Sequence, residues 1–188
     1  WCDSRAVNIG NDAYEKLGES KCMSHLLNSP GNFTASKLKW VKENEPEVYE
    51  KIYKYMLPGD FIAYKLTGEI NTTRNGLSEG IIWDYKNNEI ANWLLDYYGI
   101  NPNLTPDLVD NFTNQGATNS KSSEETGLNI GIPITYRAGD QPNNALALNV
   151  FDNGEVAASG GTSGVIYSIT KDINLSLIHI SEPTRPGH

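Results

Sequence analysis

The sequence predicts an α/β protein built in two parts, and three observations support this fold class. Apolar residues recur every three or four positions through much of the first hundred residues, which is helical spacing. From residue 101 to 126 the composition changes to Asn, Pro, Thr, Ser and Gly, which is typical of a connecting region. After the Gly-Ile-Pro run at 131–133, short apolar stretches suit strands instead. We therefore place a domain boundary between residues 132 and 133.

The first part is predicted to be mainly helical. Asp3 or Ser4 can cap a first helix, and Gly18 suits its end because glycine readily adopts the left-handed conformation. The turn-forming residues at 28–32 predict a loop. The predicted helices run from Asp3 or Ser4 to about Leu17, from near Thr34 to before Pro46, from Pro46 through Tyr53, from Pro58 to before Gly68, and over Glu89–Tyr98.

Strands are predicted at fewer places, and most belong to the second part. In the first part, Ile70–Thr73 and Ile81–Asp84 suit short strands. In the connecting region a short helix is predicted at Ser122–Thr126. The second part is predicted to contain a strand at Ile134–Arg137, a helix at Asn143–Leu148, and a hairpin of Glu155–Ser159 with Val165–Ile169 around a glycine-rich turn.

Charge and composition exclude several classes of protein. The chain has 15 Lys and Arg against 23 Asp and Glu, a net charge of −8, which does not suit a general nucleic-acid surface. No apolar run reaches the 18 residues of a membrane span. Cys2 and Cys22 are far apart, and His25 stands alone outside the C-terminal tail, so neither a zinc site nor a Ser-His-Asp triad is predicted. We expect a soluble, cytoplasmic protein with idle thiols and no metal site formed by side chains.

The last residues are expected to be foreign to the protein. The run from Leu175 to Arg185 resembles one translated reading frame of a transposon mosaic-end sequencing adaptor, residue for residue. We therefore expect 175–188 to be a non-native, adaptor-derived tail. The first residue is Trp1 rather than Met, so the chain is expected to be an internal piece of a longer protein.

Two short motifs carry chemistry. Ala-Gly-Asp-Gln at 138–141 places an acid directly after a predicted strand, and Ser-Gly-Gly-Thr-Ser-Gly follows at 159–164. Glycines let backbone N–H groups approach a phosphate, while a carboxylate can accept the proton of an attacking hydroxyl. Together the motifs suit phosphoryl transfer. Separately, a Gly-Asp pair is also a common turn or helix cap, and Gly-Gly a common hairpin turn. No GxxxxGK[ST] run is present, so a P-loop enzyme is excluded.

These motifs and several upstream segments resemble the FGGY carbohydrate-kinase family. In that family a GDQ or GDN run supplies the catalytic base and GTS a phosphate loop. Trp-Cys-Asp-Ser-Arg at 1–5 is similar to the family's W-x-D-x-R segment, and residues 33–44 follow most of its first signature. Leu57–Phe61 and Leu66–Glu69 are similar to its "LP-x-D-[YF]" and "LTGE" stretches. The resemblance spans about 1–173 in the family's order.

The resemblance implies an actin-like, ribonuclease-H-like α/β fold of two domains with a cleft between them. Residues 1–132 would be the later part of the first, sugar-binding domain, and 133–174 the opening of the second, nucleotide-binding domain. ATP and Mg²⁺ would be the cofactors. The implied roles are general base for Asp140, sugar contacts for Gln141 and Asn32, and phosphate contacts for Gly161, Thr162 and Ser163. For Asn32, a purely structural role as a loop cap is the alternative.

The expected substrate is a pentulose. The run at 28–40 is most similar to family members that act on D-xylulose, whereas Gln141 after the base is also found in glycerol kinases. Glycerol, ribulose and gluconate therefore stay open, as does a non-catalytic sugar-binding protein of the same fold. The family allows a homodimer of the full-length enzyme. Its first phosphate loop and adenosine site would lie outside these 188 residues, so the chain alone is expected to be inactive.

Overall fold

The computed structural model describes residues 3–160 and 164–171, with only the backbone of Ser159. The chain divides into two compact units, Trp1–Arg137 and Ala138–His188. The division falls five residues after the boundary expected from composition. The tail expected at 175–188 lies outside the described residues. None of the helices described is long and apolar enough to cross a membrane.

Helices dominate the first unit, as the sequence predicts. The predicted stops are confirmed at Gly18 and Gly68, where φ is 88° and 82° and each N–H donates to the carbonyl four residues earlier. The described helices are α1 Val7–Leu17, α2 Glu19–Leu26, α3 Thr34–Asn44, α4 Pro46–Tyr49, α5 Pro58–Thr67, α6 Arg74–Glu79, α7 Asn92–Tyr97 and α8 Ser120–Thr126, with a 3₁₀ turn at Pro102–Leu104.

Two small sheets accompany these helices. Strands β1 (Asn71–Thr73) and β4 (Asp107–Val109) are parallel, with Thr72 opposite Leu108. Strands β2 (Trp83–Asp84) and β3 (Glu89–Ile90) are antiparallel, with Trp83 opposite Ile90. The strands predicted from 70 and from 81 thus form, although each is shorter than expected. β4 was not predicted.

Several predicted elements of the first unit are wrong in part. The first helix begins at Val7 and has no side-chain cap from Asp3 or Ser4, and the helix from Pro46 ends at Tyr49 and not at Tyr53.

The helix expected over Glu89–Tyr98 begins only at Asn92, because Asn88 turns the chain with φ 56° and residues 89–90 pair with β2. The strand expected at Ile134–Arg137 does not form. Only a single bridge links Pro133 to Ala117, and Ile134 exchanges backbone hydrogen bonds with residues 115 and 116 before the chain leaves that pairing.

The core of the first unit joins its helices to the β2–β3 hairpin. Its fully buried apolar side chains are Ala13, Leu77, Ile82, Ala91, Leu94 and Leu95. At one edge α1 packs directly on the loop before α3. A Cβ on Gly10 would lie 1.8 Å from the carbonyl oxygen of Gly31, so the two backbones touch there. This contact fixes the loop that carries Asn32.

The described part of the second unit, residues 138–160 and 164–171, buries few apolar side chains. It contains α9 (Asp140–Ala147) and the antiparallel strands β5 (Val156–Gly160) and β6 (Gly164–Ser168). The predicted hairpin is confirmed, while the helix expected from Asn143 starts three residues earlier. Ala145 and Ala157 are buried, whereas Val156 and Ile166 expose 54% and 79% of their surface. The small apolar area buried by these described residues contributes little stability.

A buried acid holds the hairpin of the first unit against α2. Asp84 is fully buried and accepts hydrogen bonds from His25 Nδ1 at 2.8 Å, Trp93 Nε1 at 2.9 Å and the Asn87 N–H at 2.9 Å. Burial by itself raises the pKa of this carboxyl, but the hydrogen bonds from Asn87, His25 and Trp93 outweigh it and hold the pKa below its ordinary value. His25 is thus a packing residue, as expected.

Asp84 should make stability depend on acid pH. A carboxyl with a lowered folded-state pKa contributes stability that is present above its unfolded pKa, about 3.9, and lost as pH falls through the folded value. We expect Asp84→Asn to lower the free energy of unfolding at pH 7 by about 1–3 kcal/mol, because an amide NH₂ would face buried donors. The variant should also lose stability less steeply below pH 4. Urea titrations from pH 2 to 7 measure both effects.

The exposed strand residue Asp107 offers a matched control for this measurement. Asp107→Asn should leave both the stability at pH 7 and its acid dependence close to wild type. If Asp84→Asn behaved like this control, the Asp84 hydrogen bonds would have no role in holding the hairpin.

Candidate active site

Asp140 occupies the first turn of α9, directly after the division between the units. Its N-cap, Gly139, is extended, with φ −70° and ψ −176°. Asp140 Oδ1 accepts the N–H of Gln141 at 2.8 Å, and Asn143 Nδ2 donates to the Ala138 carbonyl at 2.9 Å. The Asp140 residue is solvent-exposed. The helix start thus orients a carboxylate that a ligand can reach, and a negative side chain is favourable at this end of a helix.

Asn32 lies in the loop between α2 and α3 of the first unit. Its Nδ2 donates to the carbonyl of Asp3, while its Oδ1 is buried without a hydrogen-bond partner among the described residues. Buried polar atoms are nearly always satisfied in folded proteins, so an unsatisfied acceptor calls for a missing donor. An ordered water or a ligand hydroxyl could supply it. Sugar contact and loop cap both remain predictions for Asn32, since its Nδ2 contact ties the loop to the chain before α1.

The expected phosphate contacts fall outside the described part of the chain. Gly161, Thr162 and Ser163 are not among the described residues. The strands on either side are described as far as Gly160 and Gly164, which face each other at the end of the β5–β6 pairing. Their proposed role therefore stays a prediction from the sequence.

The structure joins two of the segments on which the resemblance rests. Arg5 Nε and Nη2 bind the Asp3 carboxylate at 2.9 and 2.7 Å. Hydrogen bonds from the Arg5 side chain and then its backbone hold the pKa of Asp3 well below its usual range. The Arg5 guanidinium also lies 3.9 Å from the centre of the Trp40 ring. Asp3, Arg5 and Trp40 therefore hold the start of the chain against α3, next to the Asn32 loop.

Sequence reasoning missed a buried polar network at the end of the first unit. Arg137 and Asp60 expose only 9% and 4% of their side chains and form an ion pair, Nε to Oδ1 at 2.9 Å. Arg137 also donates to the Gln115 side chain and to Asn71. Asp60 accepts the Thr72 hydroxyl at 2.9 Å. An Arg before Ala-Gly-Asp was visible in the sequence, but nothing there indicated its partner 77 positions earlier.

The predicted site residues thus divide between the units. Asn32 belongs to the first, while Asp140 and Gln141 belong to the second. Over residues 3–160 and 164–171, no group of three or more His, Cys, Asp or Glu side chains could hold a metal ion.

Comparison with known proteins identifies the family. The model of the N-terminal domain of the FGGY family of carbohydrate kinases matches residues 1–147. The match includes Asp140 and Gln141 and continues past the division between the units.

Two curated relatives and one solved structure illustrate the similarity. The chain is 30% identical to the xylulose kinase of Staphylococcus xylosus over 170 residues, which is 90% of this chain and 35% of that protein. It is 28% identical to the xylulose kinase of Bacillus subtilis (strain 168) over 177 residues, 92% of this chain and 34% of that protein. The chain therefore spans about a third of the length of the curated relatives it matches.

The solved structure of xylulose kinase from Rhodospirillum rubrum superposes with a TM-score of 0.85 at 24% identity, covering 93% of this chain and 36% of that one. This similarity establishes the expected fold: the described chain is a part of the actin-like, ribonuclease-H-like α/β fold.

Proposed function

Because the chain belongs to the FGGY family of carbohydrate kinases, we propose that it is part of an ATP-dependent kinase that converts D-xylulose to D-xylulose 5-phosphate. The observation that carries this proposal is the exposed Asp140 carboxylate at the start of α9, oriented by the Gln141 N–H. The similarity to xylulose kinases supports the choice of a pentulose.

In the proposed reaction Asp140 is the general base. It accepts the proton of the terminal sugar hydroxyl while the hydroxyl oxygen bonds to the γ-phosphorus and the bond to the ADP oxygen breaks. An exposed carboxylate suits this role, because the attacking hydroxyl has to come within hydrogen-bond distance of it. A protein that only binds sugar has no need of such a base.

Two other side chains would select the sugar. Asn32 Oδ1, buried and without a partner among the described atoms, would accept a hydrogen bond from a sugar hydroxyl. Gln141, half-buried beside the base, would contact a second hydroxyl. A site built to satisfy such groups rejects sugars that leave them unpaired.

The second substrate would be MgATP. The backbone N–H of Gly161 and the hydroxyls of Thr162 and Ser163 are the proposed donors to its phosphates. Mg²⁺ would enter with ATP and would supply positive charge that neutralises the phosphates, while Gly161, Thr162 and Ser163 would hold the phosphates themselves.

The remaining assignments belong to the same proposal. Residues 1–132 and 133–174 would be the parts of the sugar-binding and nucleotide-binding domains, and 175–188 an adaptor-derived tail. The enzyme would act in the cytoplasm, where its ATP is available, and it could form a homodimer. The 188 residues alone would be inactive.

A substrate panel tests the proposal. We expect the full-length kinase that carries these residues to release ADP fastest with D-xylulose, compared with ribulose, gluconate and glycerol, in a coupled assay. Asn32→Ala should lower kcat/KM for D-xylulose by about 10- to 100-fold, since a buried hydrogen bond to the preferred sugar is lost. It should lower kcat/KM for the poor substrates less.

The exposed Asn103→Ala serves as the control and should leave the preference unchanged. A clear preference for glycerol would contradict the xylulose assignment. Sugar binding without any ADP release would show that the protein is a non-catalytic member of the fold.

A further inference from the structure

We propose that Arg137 is a positioning residue for Asp140, an inference that rests on the kinase function proposed above. Arg137 does not touch substrate in this proposal. It anchors the chain directly before the base and thereby limits where the base can lie.

The anchor is the buried Arg137 side chain. Its Nε donates to Asp60 Oδ1 at 2.9 Å and its Nη1 to Gln115 Oε1 at 3.0 Å. Its Nη2 donates to both the backbone carbonyl and the side-chain oxygen of Asn71, at 2.8 and 2.7 Å. The planar guanidinium fork thus engages three residues from three segments. Such a fork fixes orientation better than a single point charge does.

The groups that receive these bonds are themselves fixed. Asp60 lies in the first turn of α5, and its Oδ2 accepts the Thr72 hydroxyl of β1 at 2.9 Å. Gln115 Nε2 donates to the carbonyls of Asp110 and Asn111 at 3.0 and 2.9 Å. Asp60 and Gln115 are thus each fixed by further hydrogen bonds. Arg137 is therefore anchored to the folded part of the first unit and not to a mobile loop.

The connection from the anchor to the base is short. Only Ala138 and Gly139 separate Arg137 from Asp140, so the Cα atoms of 137 and 140 can be at most about 11 Å apart, however the second unit sits. Displacement of a catalytic group by about 1 Å can cost about 100-fold in rate. Loss of the Arg137 contacts would therefore let Asp140 occupy a wider range of positions. A smaller fraction of those positions would be productive for catalysis.

A double-mutant cycle tests this role in the full-length kinase. Arg137→Met removes the fork and keeps an unbranched apolar side chain. We expect it to lower kcat by about 10- to 100-fold with Asp140 present and by less than about 3-fold in the Asp140→Asn background, with KM for sugar and MgATP nearly unchanged in both. If Arg137 only stabilises the fold, the same factor should appear in both backgrounds, and that result overturns the proposal.

Asp84→Asn is the matched control for lost stability. It disrupts another buried carboxylate network of the first unit, so its effect on kcat should be the same factor in both backgrounds.

Arg137→Met leaves Asp60 buried and unpaired, which can prevent folding. In that case the double variant Asp60→Asn with Arg137→Met, which removes both charges, takes the place of Arg137→Met in the cycle. A wild-type enzyme without kinase activity refutes the proposed function, and this proposal falls with it. Additive effects in an active enzyme refute the positioning role alone.

Discussion

Asp140→Asn is expected to lower kcat by about 100- to 10,000-fold in the full-length kinase, the usual contribution of a general base. The amide keeps the size of the side chain and an oxygen that can accept the Gln141 N–H, so the start of α9 should stay intact. It cannot accept the proton of the sugar hydroxyl. KM for sugar and MgATP should therefore change little, because the loss arises mainly in the transition state.

Steady-state kinetics with both substrates varied measures this effect. Asp152→Asn, an exposed acid in the same unit, is the control and should retain normal turnover. Near-normal kcat for Asp140→Asn would show that another group takes the proton and would remove the observation on which the proposed function rests.

Gly10→Ala is expected to destabilise the protein by about 3 kcal/mol or more, the upper range for inserting an atom into a packed site. The new Cβ would lie 1.8 Å from the Gly31 oxygen and 2.4 Å from its carbonyl carbon. Both are backbone atoms, so no side-chain rotation relieves the clash. Either α1 or the loop at 28–32 has to move, and that movement would displace Asn32 as well.

Urea denaturation followed by tryptophan fluorescence measures the change in the free energy of unfolding. Gly59→Ala is the matched control, since Gly59 is in helix α5 with nothing within 4 Å of an added Cβ. Because Gly59 lies in the first turn of α5, alanine there should change the free energy of unfolding by less than about 1 kcal/mol. Equal stability of the two alanine variants would mean that α1 and the loop are not in contact.

Local signals in the sequence were sufficient for most helices. Gly18 and Gly68 mark real ends, and Pro58 a real start, because capping depends on a few adjacent residues. The helix predicted from Glu89 begins late because residues 89–90 pair across a turn with β2, a tertiary preference that helical spacing does not reveal. β4 was missed because its three residues lie in a polar region and pair with a distant strand.

The candidate site shows the same contrast between local motifs, which the sequence reveals, and contacts between distant residues, which it does not. A four-residue motif singled out Asp140, but it did not indicate the element that carries this residue. Helix α9 begins at this residue itself, where the sequence had predicted a strand before it and a helix only after it. The Arg137 network could not be predicted, since its partners are 22 to 77 positions away and are specified by packing and not by spacing.

The parallel pairing of β1 with β4 also determines how the first unit holds together. About thirty residues lie between the two strands, and closing a flexible loop of that length costs about 3 kcal/mol. A ladder of three residue pairs gains a similar amount at most. Pairing of these strands alone therefore gains little, and packing of the intervening residues around Leu77, Ile82 and Leu94 supplies the stability that keeps them together. We expect pairing and packing to be lost together when the middle of the unit unfolds.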